Sequence, residues 1–98
     1  MYLKIDADGT LSLEESDNFR AFSIVETNPG SAGSALAGIA EPEDQHHFWI
    51  DAEAVVRLSG RDRDETWKQA FWSMLQQVEQ YGYSDMTRKR VKAHVENR

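Results

Sequence analysis

One long amphipathic helix constrains this chain more than any other feature. Between Asp62 and Gly82, apolar side chains recur at the three- and four-residue spacing that places them on one face of an α-helix. These side chains are Trp67, Ala70, Phe71, Met74, Leu75, Val78 and Tyr81. Asp62 and Glu65 are suited to cap the first turn, and Gly82 is suited to end the helix in the left-handed conformation. A helix over residues 63–81 would be about 28 Å long, enough to form the spine of a small core.

The composition is typical of one globular domain. The chain has 98 residues, of which 40% are hydrophobic. A chain of this size buries roughly two thirds of its unfolded surface without needing disulfides or metals. It contains no cysteine, which excludes thiol chemistry, disulfides and cysteine-ligated zinc. We therefore expect a single domain over residues 1–98, with no metal and no cofactor.

Charge is distributed unevenly along the chain. The net charge is −6, but residues 1–83 hold 15 acidic and 6 basic side chains, whereas residues 84–98 hold 2 and 5. An acidic body repels nucleic acid and anionic membranes at long range, which argues against both as partners. Neither a secretion signal nor a membrane-spanning apolar run is present in the sequence, so we expect a cytoplasmic protein.

Shorter patterns around the long helix predict a small sheet. Five segments have the alternation, or the aromatic and β-branched content, of strands: residues 2–5, 10–13, 19–26, 47–50 and 89–95. A helix over Glu15–Val25 is the alternative for the third segment. Residues 41–45 have the composition of a polar linker, and residues 84–85 that of a turn.

A second, shorter helix precedes the long one. Asp51 is placed to cap a helix over residues 52–58, which Ser59 and Gly60 would end. Together the patterns predict an α+β fold. In it, a small, mostly antiparallel sheet of three to five strands carries a helix-turn-helix pair, 52–58 and 63–81, on one face.

The segment KIDADGTLSLEE resembles the calcium-binding loop of the EF-hand family. Asp6, Asp8, Gly9 and Glu15 fall at the third, fifth, sixth and twelfth positions of that loop. The resemblance implies calcium ligation, but Lys4 occupies the first ligand position, and three preceding residues are too few for an entering helix. A β-hairpin turning at Asp8 and Gly9 is the preferred interpretation.

The loop NPGSAGSA, residues 28–35, is a candidate anion site. If a helix begins near Ala32, backbone N–H groups and the hydroxyls of Ser31 and Ser34 would converge at its N-terminus. The glycine spacing matches neither the dinucleotide-binding motif nor the P-loop, and a purely structural loop is the alternative. The predicted ligand-binding residues are Ser31, Gly33 and Ser34 of the loop, together with His94 on the C-terminal strand.

Trp72 is the candidate interface residue. It lies five positions after Trp67, which rotates it about 140° around the helix and outside the apolar face. It either packs beneath a strand or loop or serves as an exposed anchor for a partner, a role in which tryptophan is enriched.

Two classes of function follow from these residues. The preferred one is a non-catalytic binding or regulatory module that contacts a protein partner or a second copy through Trp72 or the C-terminal strand. The alternative is a small-ligand or anion-binding protein, or an enzyme subunit, that uses residues 28–35 and a nearby histidine. No motif for nucleophilic catalysis is present, so we predict no catalytic residue.

Overall fold

In a computed structural model, which describes residues 1–97, three helices accompany a sheet of seven strands. The elements in chain order are β1 (Tyr2–Ile5), β2 (Leu11–Glu14), β3 (Ser23–Glu26), α1 (Ala32–Ala35), β4 (Ala40–Pro42), β5 (His47–Asp51), α2 (Ala52–Ser59), α3 (Glu65–Glu79), β6 (Ser84–Asp85) and β7 (Arg90–Asn97).

The sheet is mixed, and its strand order is β2-β1-β3-β7-β5-β4, with β6 paired to the start of β7. The β1–β3 and β3–β7 pairs are parallel, whereas the other pairs are antiparallel. The prediction of a mostly antiparallel sheet of three to five strands with a helix-turn-helix pair is therefore wrong. Strands β4 and β6 are too short to show a periodic pattern, and parallel pairing joins distant segments that no local pattern connects.

The first two strands form the hairpin favoured over the EF-hand-like loop. The amide of Asp6 donates to the carbonyl of Thr10 at 3.0 Å, and the amide of Gly9 donates to the carbonyl of Asp6 at 2.9 Å. Gly9 has a φ of 85°, the left-handed conformation that this turn requires. The backbone amide of Thr10 also donates to Asp8, which lowers the pKa of that carboxyl below 3.8. Residues 15–25 form no helix, because the chain turns there and enters β3.

The core lies between one face of the sheet and the three helices. Side chains alternate along each strand, so every second residue points toward this core. Its members include Leu3, Ile5, Ile24, Ile50, Val91 and Ala93 from the sheet and Leu36, Val55, Phe71 and Leu75 from the helical side. The opposite face carries the remaining strand residues, which lie outside this cluster, although Ser23 and Val25 of β3 are also buried there. We call it the helix-free face.

Local caps set the bounds of the two longer helices. The Asp51 side chain accepts a hydrogen bond from the amide of Glu53, as expected for an N-cap of α2. Helix α3 begins two residues later than expected, because Asp64 rather than Asp62 is its cap and accepts from the amide of Trp67. The helix ends at Glu79, which leaves Tyr81 outside it and 70% exposed.

Candidate binding face and sheet cleft

The basic side chains of the C-terminal strand lie on the helix-free face. Strand β7 lies between β3 and β5 in the sheet, so its basic side chains are not on an edge strand. Val91 and Ala93 point into the core, and the residues between them point the other way. Arg90, Lys92 and His94 therefore form one column on the helix-free face, which we call the basic column.

Trp49 lies directly beside this column. It is the register partner of Lys92 on the neighbouring strand β5. The Arg90 guanidinium carbon lies 4.5 Å from the centroid of the indole ring, and the Lys92 ammonium lies 5.3 Å from it, both within range of a cation–π interaction. The indole N–H donates to the carboxylate of Glu43. These contacts hold a half-exposed tryptophan in one orientation.

The three basic side chains of the column differ in their acidic neighbours. Arg90 lies 3.7 Å from a carboxylate oxygen of Asp85 and 3.8 Å from one of Glu41. The imidazole of His94 is 2.7 Å from the carboxylate of Glu96. Lys92, in contrast, has no carboxylate of residues 1–97 within ion-pair distance. It is therefore the cation of the column whose charge is least compensated.

A second histidine faces His94 across the strands. His47 is its register partner on β5, and the two rings are 6.5 Å apart. His47 is 2.9 Å from the carboxylate of Asp44. The backbone amide of His46, and then the His47 ring, hold the pKa of Asp44 below 3.8. Within residues 1–97, no group of three or more histidine or carboxylate side chains is placed to hold a metal ion.

A cleft opens beside β7 where the sheet is interrupted. Strand β6 borders β7 at residues 90–91, and β3 borders it at residues 94–97, so the edge between them carries no strand. The cleft has a volume of about 360 Å³. It is lined by Phe19, Arg20, Ala21, Phe22, Met74, Val78, Tyr83, Val91, Lys92 and His94. We call it the sheet cleft.

The loop of residues 28–35 binds the side chain of Glu26, a residue of the same chain. The Glu26 carboxylate accepts hydrogen bonds of 3.0 Å from the amides of both Gly30 and Ala32. This side chain is only 4% exposed. Backbone N–H groups converge here as expected from the sequence, but Glu26 occupies the position where an external anion would bind.

The structure separates the predicted ligand-binding residues. Ser31 does not cap α1 with its side chain, and its hydroxyl is buried without a hydrogen-bond partner among residues 1–97. Gly33 and Ser34 are exposed on α1. No residue of the 28–35 loop lines the sheet cleft to which His94 contributes. The lining of this cleft therefore does not join the loop to the histidine.

Trp72 lies in a shallow groove between α2 and α3. It is half-buried and meets the ring of Phe71 edge-on, with centroids 5.5 Å apart. The groove is also lined by Val56, Arg57 and Lys68. Trp72 packs against the hydrophobic core, and its ring is neither fully buried nor fully exposed.

Sequence reasoning did not predict Glu26 or Trp49 as functional residues, and it did not predict that Lys92 would lie beside Trp49. For Trp49 and Lys92, a signal was present in the alternation of polar and apolar residues along β5 and β7, which assigns both to the exposed face. Their contact depends on strand pairing across about forty residues. For Glu26, no local pattern indicates that the following loop folds back over its carboxylate.

Comparisons of the chain with protein-family models, curated proteins and solved structures gave no match. In the part of the chain that the structure describes, no helix is both long enough and apolar enough to cross a membrane.

Proposed function

We propose that the protein is a non-catalytic binding module that recognises an acidic segment of another protein on its helix-free face. One observation carries the proposal. In a chain with a net charge of −6, three basic side chains form a column on a helix-free sheet face, next to a tryptophan held in place. Tryptophan and arginine are the residues most enriched among binding hot spots.

Trp49 is suited to anchor a partner because its orientation is already fixed. A side chain that is ordered before binding loses less conformational entropy on binding. The Arg90 and Lys92 cations and the Glu43 carboxylate hold the ring. A partner that packs on this ring would gain apolar burial without the cost of ordering it.

The charge of Lys92 favours an acidic partner. Its ammonium has no carboxylate neighbour among residues 1–97, so a carboxylate from another chain would pair with it without displacing a carboxylate of those residues. A whole acidic protein, including a second copy of this chain, is a poorer partner than a short acidic segment, since two bodies of net charge −6 repel each other. The groove at Trp72 lacks such a charge preference, because Arg57 and Lys68 are accompanied there by Glu53, Asp62 and Glu65.

The cytoplasmic location expected from the sequence is part of the proposal, and cell fractionation tests it. The binding itself is tested with a fluorescein-labelled peptide of alternating glutamate and tyrosine, compared with the matching glutamine–tyrosine peptide. We expect fluorescence polarisation to show tighter binding of the acidic peptide, weakening as salt rises from about 20 to about 200 mM.

Three variants locate the binding surface. Trp49→Ala should weaken binding of the acidic peptide by about 30-fold, the loss typical of a hot-spot aromatic. Lys92→Glu should abolish the preference for the acidic over the neutral peptide. Arg63→Glu makes the same charge reversal in the exposed loop between α2 and α3, and it should leave binding unchanged. Equal binding of both peptides by the parent would contradict the proposal. Tighter binding of a single-stranded oligonucleotide of equal charge would assign the face to nucleic acid instead.

A further inference from the structure

We propose that the sheet cleft binds a small monocarboxylate with an apolar body, such as a medium-chain aliphatic acid. This site does not rest on the proposed protein-binding function, because it takes a different class of ligand. The inference rests on the chemistry of the lining, the placement of the charges and the volume of the cleft.

The interior of the cleft is apolar. Val91 is buried at its base, and Phe22, Met74 and Val78 are half-buried around it. Small-ligand pockets typically combine such a lining with a few convergent polar groups. The volume of about 360 Å³ is at the lower end of the range for such pockets, roughly 300–1,000 Å³, which suits a ligand of about ten heavy atoms.

The lining of the cleft contains basic but no acidic side chains. Arg20, Lys92 and His94 contribute to the lining, whereas no aspartate or glutamate does. Glu96 compensates His94 through the contact of 2.7 Å. Arg20 and Lys92 have no carboxylate of the described chain within ion-pair distance. Arg20 and Lys92 therefore border the apolar interior without a carboxylate partner in the described chain, and the Lys92 ammonium also lies 5.3 Å from the Trp49 ring on the neighbouring strand.

The gap between β6 and β3 explains why a cleft forms at this place. Both strands begin at the edge of the gap, where Ser84 pairs with Val91 and Ser23 pairs with His94. The aromatic residues just before these strands, Tyr83 and Phe22, contribute to the walls. Tyr83 is 55% exposed, which is unusual for a large ring next to an apolar cavity. A ligand that fills the cleft would cover part of this ring.

The test is to titrate the full chain with three probes and to monitor its amide NMR chemical shifts. The probes carry the same alkyl chain: octanoate, octan-1-ol and octylammonium. Octanoate should produce saturable shifts at Phe22, Tyr83 and Lys92, with a dissociation constant on the order of 0.1–1 mM. It should bind about three- to tenfold more tightly than octan-1-ol, as expected for contacts with partly exposed cations. Octylammonium should bind more weakly than both.

Two variants and a control locate the ligand. Ala21→Trp places a ring at an exposed position of the lining and should abolish the octanoate shifts, whereas Ala70→Trp, on the exposed side of α3, should preserve them. Lys92→Gln should reduce octanoate affinity toward that of octan-1-ol. Trp49→Ala should leave octanoate binding intact, which separates this site from the peptide-binding face. Equal affinities for octanoate and octan-1-ol, or unchanged octanoate shifts in Ala21→Trp, would overturn the inference.

Discussion

At the scale of single residues, the aromatic side chains of α3 divide into buried and half-exposed groups. Trp67 and Phe71 stack with ring centroids 5.2 Å apart, and the Trp67 indole donates to the carbonyl of Ser16 at 2.7 Å. Phe71 is fully buried, as the periodic pattern predicts. Trp72 meets the edge of this stack and is half-buried. The two neighbouring residues should therefore respond differently to truncation.

We predict that Trp72→Ala lowers the free energy of unfolding by about 1–2 kcal/mol, because only part of its ring is removed from water. Phe71→Ala should cost about 3–5 kcal/mol, since it empties a fully buried site. Urea melts of both variants measure the difference.

Sedimentation across a concentration series tests the interface role expected for Trp72. We expect a monomeric parent, and a parent whose self-association is lost in Trp72→Ala would contradict this account.

At the scale of elements, the end of β3 and the loop after it act as one unit. Two backbone amides of the loop bind the buried Glu26 carboxylate, and Asn28 donates to the carbonyl of Ala7 at 3.2 Å. These bonds fix the point where the chain leaves the sheet toward α1. The four-residue helix α1 has little stability of its own, so its position depends on them.

Replacing Glu26 by glutamine should therefore destabilise the fold. The amide side chain would keep one acceptor oxygen but direct its N–H₂ group toward the second backbone N–H, which leaves a buried donor unsatisfied. We expect the free energy of unfolding to fall by about 1–3 kcal/mol. Glu41→Gln is the matched control, because this side chain is 82% exposed and its ion pair contributes little. Equal urea midpoints for parent and Glu26→Gln would show that the loop does not depend on the carboxylate.

The turn between β4 and β5 should respond to acid. Hydrogen bonds from the His46 amide and the His47 ring lower the pKa of Asp44 below 3.8, so the folded state favours the carboxylate. This contribution to stability is present above pH 3.8 and is lost as the pH falls through the lower, folded-state pKa. A carboxyl ¹³C titration should place the Asp44 midpoint below 3.8, and Asp44→Asn should show a flatter loss of stability in acid. A midpoint at or above 3.8 would contradict the hydrogen-bonded turn.

Local sequence patterns predicted the elements that are determined by residues close together in the chain. The N-cap of α2 at Asp51 and the turn at Gly9 depend on side chains and glycines a few positions apart. The parallel pairing of β3 with β7 joins residues about seventy positions apart, and packing in the core selects it. The contact of Trp49 with Lys92 depends on that arrangement of strands. The candidate site could therefore not be assembled from the sequence alone.

At the scale of the whole molecule, the fold concentrates basic side chains within an acidic protein. Residues 84–98 hold 5 basic and 2 acidic side chains, and β7 carries Arg90, Lys92 and His94 of this segment onto the middle of the helix-free face. All three helices bury their apolar residues on the opposite side. The two faces of the sheet thus differ: one forms the core, and the other carries the basic column.

The most direct test of this account is to map the acidic peptide's binding site by amide chemical shifts on the full chain. If the peptide binds the helix-free face, the largest shifts should fall on residues 47–51 and 90–96, with small shifts along α2 and α3. Peptide-induced shifts confined to the helices, or the same strand shifts produced equally by the neutral glutamine peptide, would contradict the claim that this face recognises an acidic partner.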